Sequence, residues 1–192
     1  MKMKSILNAL TFCFLGSCFG VNAQDVSLYP QKTVKIVAPG PGSGTDLTAR
    51  VLAKQLAKSW KQPVIIENKP GAGGSIGIAA VINSNPDGYT LLANSATYVI
   101  NPAVYKKLPY DAAKGLVDLS LMTTTPYVLV VSEESPYKSL KDLVAALKAG
   151  SSNITFGSAG VGSSTHLAAE YFNQAAGVKA LHIPYKSSPE AI

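Results

Sequence analysis

Short apolar runs rich in β-branched residues alternate with helical patterns, and this alternation limits the fold more than any other property of the chain. In the first half the runs lie at residues 34–38, 63–67 and 89–93. Such runs predict buried strands of a parallel sheet. Between them, apolar residues recur three or four positions apart, as expected for helices, at Ala49, Leu52, Ala53, Leu56 and Trp60 and at Ile76, Ala79, Ala80 and Ile82. The first half is therefore predicted to be a βαβαβ unit.

The second half repeats this alternation. Strands are predicted at residues 127–131, 153–156 and 180–184, and a helix is predicted at residues 162–175. A capping pattern that begins at Ser139 predicts a further helix, with its apolar side at Leu140, Leu143, Val144 and Leu147. Strand starts about 30 residues apart are typical of βαβ units. The sequence therefore predicts a second α/β lobe that resembles the first.

The predicted domain boundaries follow from these patterns. Residues 24–100 form the first α/β lobe, and residues 127–192 form the second. The segment between them, residues 101–126, contains Pro102 and Pro109 and has no sustained helical period. We interpret this segment as the crossover between the lobes.

The N-terminus has the features of a secretory signal peptide, predicted to span residues 1–23. Lys2 and Lys4 precede an apolar run, and small residues end at Ala23. This order predicts export and cleavage before Gln24, with a periplasmic product. The apolar run is shorter than the ~20 residues that a membrane-spanning helix needs, so we expect a soluble mature chain.

Both cysteines, Cys13 and Cys18, lie in the predicted signal peptide. The mature chain therefore has no disulfide, thiolate metal site or cysteine nucleophile. Cys18 ends a segment that loosely resembles a lipoprotein cleavage box. Lipid anchoring through Cys18 is thus an alternative, although it would cut inside the apolar run.

The charge pattern argues against nucleic acid as a partner. Lys2 and Lys4 belong to the signal peptide. The mature chain therefore has 15 basic and 11 acidic residues and a net charge of +4. The basic residues are scattered, and Arg50 is the sole arginine. Nucleic-acid-binding proteins instead cluster arginine and lysine on one face.

Three glycine-rich turns follow predicted strands and open predicted helices, at residues 39–46, 70–75 and 157–166. Glycine allows several backbone amides to point one way, and a helix N-terminus adds a partial positive charge. In parallel sheets, ligands bind at the carboxyl ends of the strands, where these turns lie. Each turn is a candidate anion site, although a strand-to-helix turn also uses glycine for geometry alone.

Motifs for other chemistry are missing from these turns. None has a nucleotide P-loop ending or a complete dinucleotide fingerprint, and no serine sits in a nucleophile elbow. The sequence therefore predicts no catalytic residues and no cofactor. His166 and His182 lack metal-ligand spacing, so no metal site is predicted. His166 opens a helix and is a candidate anion donor, whereas we interpret His182, inside a strand, as structural.

Five motifs together resemble the Bug-type solute receptors of tripartite tricarboxylate transporters. They occur in the order that this family has, and the resemblance extends from about Tyr29 to the last residue. The motifs lie at residues 34–46, 62–74, 86–92, 157–168 and 182–186. The resemblance implies a periplasmic-binding-protein type II-like fold with two α/β lobes and parallel-rich sheets. It also implies a monomeric receptor that captures a small carboxylate in the cleft between the lobes and delivers it to a membrane permease.

The resemblance implies ligand contacts from facing loops of the two lobes. In the first lobe these are Gly44, Thr45, Asp46, Ser95 and Thr97, and in the second lobe Ser158, Gly162, Ser163, Thr165 and His166. The chain departs from the family at Ser43, where glycine is usual, and at Ser187, where glycine commonly follows the lysine. Neither change removes an amide donor, so both bear on ligand identity more than on binding. For Asp46, a purely structural role at the helix start stays open.

Two other functions remain as alternatives. One is an exported, hydrolase-like α/β enzyme that uses a loop serine or Asp46, and the other is a sensor or interaction module. Family members of about 300 residues imply that the second half of the fold is incomplete here. We therefore expect a C-terminally truncated receptor that binds its ligand weakly or not at all.

Overall fold

A computed structural model of the chain describes residues 28–112, 114–150 and 153–192. The predicted signal peptide, its cleavage site and both cysteines lie outside the described residues. Within the described ranges, no helix combines the length and the apolar character needed to cross a membrane.

Three parallel strands form the first sheet: β1 (Val34–Ala38), β2 (Val64–Asn68) and β3 (Thr90–Leu92). Their spatial order is β2-β1-β3, so β1 is central. Four of its five side chains are buried, as the continuous apolar run predicted. The three strands predicted in the first half are thereby confirmed.

The helices α1 (Gly44–Trp60) and α2 (Ser75–Ile82) pack against the first sheet, and α3 (Thr97–Val104) packs against α2. A short 3-10 turn, Ala72–Gly74, precedes α2. Helix α1 packs the buried residues Ala49 and Ala53 against β1, as its pattern predicted.

Helix α2 buries a different side from the one predicted. Ile76 is 51% exposed, whereas Ile78 and Val81 are buried. The reason is a close approach at Gly77, where a Cβ atom would lie 3.5 Å from Val37 Cγ1. Contact with the sheet at this glycine turns the neighbouring Ile78 inward.

The second unit contains two parallel strands, β4 (Thr155–Ser158) and β5 (Leu181–Pro184). Its helices are α4 (Leu140–Lys148), α5 (Ser164–Ala176) and α6 (Ser188–Ala191). Ser139 caps α4 as predicted, because its side chain accepts a hydrogen bond from the Asp142 amide. The chain is thus an α/β protein with parallel sheets in both units, as the sequence predicted.

The strand predicted at residues 127–131 is wrong. This segment has no regular secondary structure, and its side chains are 47–79% exposed. No strand in the described part of the chain lies beside it, so its backbone has no partner for a ladder. An apolar run becomes a strand only where another strand pairs with it.

Helix α3 covers the first four residues of the predicted crossover segment. Its buried residues are Thr97 and Asn101, which lie four positions apart. Because the buried side of α3 is polar, an apolar period could not reveal this helix. Pro102 lies inside it.

Candidate functional site

The turns after β1 and β4 have matching backbone conformations. Gly42 and Gly162 have φ values of +77° and +76°, which favour glycine. The next residues, Ser43 and Ser163, are extended, with φ and ψ of −65° and 156° and of −70° and 158°. We call these segments the first turn, residues 40–46, and the second turn, residues 160–166.

Both turns are also held by the same hydrogen bonds. The serine amide donates to the carbonyl of the glycine three residues earlier, at 3.2 Å in the first turn and 3.1 Å in the second. The serine hydroxyl then accepts from the amide three residues later, at 3.2 Å in both turns. As a result, Ser43 and Ser163 are the N-caps of α1 and α5.

A third matching bond closes each turn. The Gly42 amide donates to Asp46 Oδ2 at 2.9 Å, and the Gly162 amide donates to His166 Nδ1 at 3.3 Å. Asp46 and His166 therefore have the same place in the two turns. Their side chains point back to their own backbone rather than outward.

Backbone amides remain available beyond each cap. The amides at the start of a helix have no acceptor within the helix. In α1 these include Gly44, which is exposed, and Thr45, which is half-buried. In α5 they include Ser164 and Thr165, both half-buried. Each turn thus offers helix N-terminal donors of the type that binds anions.

Asp46 is buried and fully engaged within the chain. Its carboxylate accepts hydrogen bonds from Arg50 at 3.0 Å and from Asn68 Nδ2 at 2.7 Å, besides the Gly42 amide. Burial by itself would raise the pKa of Asp46, but the hydrogen bonds from Arg50, Asn68 and Gly42 outweigh it and lower the pKa. The carboxylate is therefore ionised, and the guanidinium of Arg50 is occupied by Asp46 and Asn68.

Two histidines stack in the second unit beside Ser158. The ring centroids of His166 and His182 are 4.1 Å apart, and Phe156 stacks on His182 at 4.8 Å. His182 Nε2 forms a 2.6 Å hydrogen bond with the hydroxyl of Ser158, which is buried. Burial, and then the neighbouring His166, lower the pKa of His182. The sequence interpretation of His182 missed this pairing.

The other predicted contact residues lie in two places. Thr165 belongs to the second turn, where its hydroxyl accepts from the Ala159 amide at 3.0 Å and lies 3.0 Å from the Ser163 hydroxyl. Ser95 and Thr97 share a 3.0 Å hydrogen bond. Thr97 lies beside Gly74, next to the glycine-rich turn after β2. The ten predicted residues thus lie in the first and second turns, at the end of β4 and in the segment after β3.

The two units touch through glycines. A Cβ atom on Gly73 would overlap the carbonyl oxygen of Val161, and one on Gly160 would lie 3.5 Å from the Gly73 amide nitrogen. Tyr105 adds a hydrogen bond from its hydroxyl to the same Val161 carbonyl, at 2.7 Å. The 3-10 turn of the first unit, Ala72–Gly74, therefore contacts the second turn, residues 160–166.

A cavity of about 460 Å³ opens beside this contact. It is lined by both units, through Gly71, Ala72, Gly73, Tyr105, Gly160, Val161, Pro184, Tyr185, Lys186 and Glu190. None of the ten predicted contacts is among these residues, although Gly162 follows Val161 in the chain. No sequence pattern pointed to Tyr105, whereas Tyr185 and Lys186 lie in the last of the five motifs.

Asn101 is a further buried residue at the junction of the units. Its amide nitrogen donates to Ser75 Oγ at 2.8 Å and to Tyr110 OH at 3.1 Å. Its Oδ1 is buried without a hydrogen-bond partner, and a Cβ atom on Gly162 would lie 3.1 Å from it. Among the described residues this acceptor has no donor, and burial of such a group is costly.

Comparison with known proteins places these features in a family. The model of the family described as "Tripartite tricarboxylate transporter family receptor" matches residues 48–192. The protein BugT of Bordetella pertussis is 38% identical over 167 residues, which is 85% of this chain and 51% of BugT. The chain spans about half the length of the curated relatives it matches.

Solved structures of other proteins are also similar to this chain. The periplasmic binding protein BugD is 32% identical with a TM-score of 0.73, and the match covers 85% of this chain and 55% of BugD. MatC from Rhodopseudomonas palustris, solved with bound malate, is 29% identical with a TM-score of 0.75. That match covers 85% of this chain and 56% of MatC.

Proposed function

Because the chain belongs to the tripartite tricarboxylate transporter receptor family, we propose that it forms the ligand-capturing part of an extracytoplasmic solute receptor. The receptor binds a small carboxylate between its two units and delivers it to a membrane permease. The observation that carries this proposal is the pair of matching turns, one in each unit, each of which begins a helix whose first amides have no acceptor within the helix.

The chemistry of the turns fits a carboxylate. A carboxylate accepts hydrogen bonds, and the first amides of α1 and α5 are donors at the positive ends of two helix dipoles. Asp46 holds the guanidinium of Arg50 in an internal ion pair of 3.0 Å. Recognition therefore depends on backbone amides and hydroxyls. The ten residues named from the family remain the proposed set that builds the site, with Asp46, Ser158 and His166 acting through their hydrogen bonds within the chain rather than by touching the ligand. Malate bound to MatC supports this ligand class.

The structure does not favour the enzyme alternative. The Ser158 and His182 pair has the composition of a nucleophile and a base. However, Ser158 is 1% exposed, and a nucleophile must contact its substrate. The family and the structural neighbours are binding proteins, which agrees with a receptor that performs no chemistry.

The proposed receptor acts in the periplasm and has a membrane permease as its partner. Cleavage after Ala23 would release a mature chain into the periplasm, with lobes at residues 24–100 and 127–192 joined by residues 101–126. The mature chain would act as a monomer and would meet its permease after ligand capture. Periplasmic binding proteins among the structural neighbours support this location.

A charged substitution at Gly44, in the first turn, tests the proposed ligand site without disturbing the packing of the turn. A Cβ atom on Gly44 would meet nothing within 4 Å. Gly44→Glu adds a carboxylate beside the proposed ligand, and Gly44→Gln is a neutral control of the same shape. Malate binding is measured by calorimetry and thermal shift into the millimolar range.

We expect malate to stabilise the wild-type chain and the Gln variant, and the Glu variant to bind at least about tenfold more weakly. Citrate and glutamate, titrated in the same way, define the carboxylate class. Equal malate affinities in the Glu and Gln variants would contradict the site. The absence of binding for all three carboxylates in wild type would contradict the proposal that this chain captures the ligand by itself.

A further inference from the structure

An aspartate and a histidine occupy equivalent positions in two turns that otherwise share their hydrogen bonds. Asp46 accepts from the Gly42 amide at 2.9 Å, and His166 accepts from the Gly162 amide at 3.3 Å. Each bond fixes a glycine with φ near +77°, directly before the serine that caps the helix. The two side chains therefore accept the same hydrogen bond, one through a carboxylate and the other through an imidazole.

The bond to His166 determines the protonation of its ring. Because Nδ1 accepts the Gly162 N–H, Nδ1 carries no proton, and a neutral ring has its proton on Nε2. Nε2 lies 3.8 Å from the Glu170 carboxylate. A second proton on Nδ1 would place two donors against each other, so protonation of His166 is incompatible with this bond. The carboxylate of Asp46 accepts through its whole ionised range.

We propose that His166 is a positioning residue whose neutral imidazole holds the second turn in its ligand-binding conformation, so that protonation of His166 weakens carboxylate capture. This inference rests on the proposed function. Loss of the Gly162 bond frees the glycine and the cap at Ser163, and the amides of Ser164 and Thr165 then no longer point together. The first turn, held by Asp46, keeps its shape at the same pH.

Several groups face the His166 ring. The Glu170 carboxylate on α5 lies 3.8 Å from Nε2, and His182 on β5 stacks at a centroid distance of 4.1 Å. Phe156 on β4 stacks at a centroid distance of 6.4 Å. The phenol ring of Tyr105 packs against Gly162 from the first unit. A cation at this place also opposes the positive end of the α5 dipole.

A direct ligand contact by His166 would have the opposite pH dependence. A protonated imidazole that touched the carboxylate would add a charge-assisted hydrogen bond, and affinity would rise as the pH falls. A positioning role requires affinity to fall. The direction of the change therefore separates the two roles.

The first measurement needs no ligand. In ¹⁵N-labelled protein, the Gly162 amide resonance is followed between about pH 8 and pH 5, the range in which imidazoles take up protons. We expect Gly162 to shift and broaden while Gly42 stays constant. In His166→Asn, whose amide oxygen can replace Nδ1 as the acceptor, Gly162 should no longer titrate. A Gly162 resonance that does not titrate in wild type, or that titrates unchanged in His166→Asn, would overturn the inference.

Malate binding over the same pH range supplies the second measurement. We expect wild-type affinity to fall by about three- to tenfold on acidification, the effect of one hydrogen bond. His166→Asn should show no such fall beyond any pH dependence of malate itself, and His166→Ala should bind weakly throughout. Identical pH profiles in wild type and His166→Asn, or a rise in wild-type affinity, would refute the positioning role and leave the proposed function intact. Malate binding absent at every pH would refute both.

Discussion

Substitution of Gly73 tests whether the two units meet as the structure shows. Gly73 has a φ of +57°, and a Cβ atom there would overlap the carbonyl oxygen of Val161. In Gly73→Ala the left-handed backbone costs about 1–2 kcal/mol. Overlap with a backbone atom in a packed contact adds about 1–3 kcal/mol. The expected loss of unfolding free energy is therefore about 2–5 kcal/mol.

Gly177 provides a matched control. Its φ is +63°, and a Cβ atom there would meet nothing within 4 Å. Gly177→Ala therefore carries the backbone strain without the overlap, and its expected loss is about 1–2 kcal/mol. The difference between the two variants isolates the contact with Val161.

Urea unfolding followed by circular dichroism measures both losses at the same pH. The dependence on urea should keep its slope, because neither change alters the surface exposed on unfolding. Equal losses for the two variants would show that the Val161 carbonyl does not lie against Gly73. The contact between the 3-10 turn and the second turn would then be wrong.

Two further predictions concern single interactions, and a third concerns the processing of the N-terminus. Asp46→Asn should cost about 1.5–3 kcal/mol at neutral pH, since it weakens charge-assisted bonds, and urea unfolding measures this loss. The pKa of Asp46 is lowered in the folded state. The stability that the Asp46 carboxylate contributes is therefore present above about pH 4 and is lost as the pH falls through the pKa of the folded state. A stability difference between wild type and Asp46→Asn that stays constant in acid would contradict this. Tyr105→Phe should cost about 0.5–1.5 kcal/mol through the lost bond to Val161, and an additive loss with Gly73→Ala would show that the two groups do not share that carbonyl. Mass spectrometry of the exported protein should find Gln24 at the N-terminus, and an intact leader in a periplasmic product would refute the cleavage site.

The sequence predicted the strands and turns that depend on local pattern. A central parallel strand is buried on both faces, so β1 reads as a continuous apolar run. The run at residues 127–131 has the same appearance but lies exposed, because strand pairing is a tertiary property. Helix α3 escaped prediction because its buried side carries Thr97 and Asn101 rather than apolar residues.

The candidate site was predictable to the level of the turns. Glycine content and position located the donors at the helix starts. What the side chains of Asp46 and His166 bind could not be inferred, since both fold back onto glycines of their own turns. A signal did exist in the spacing Gly-x-Gly-Ser-x-Thr, which residues 40–45 and 160–165 share. Aligning these segments places Asp46 opposite His166.

This near-identity of the turns has a consequence for how a ligand is oriented. Between two equivalent turns, a molecule with two identical acid groups would bind equally well in either direction, and the two arrangements would together gain about 0.4 kcal/mol of mixing entropy. The exchange of Asp46 for His166 removes that equivalence, because an ion-paired carboxylate closes the first turn and an imidazole closes the second. The two ends of a bound molecule then meet turns of different chemistry, and one of the two directions is favoured. A polarity of the bound molecule thus follows from one difference in an otherwise repeated turn.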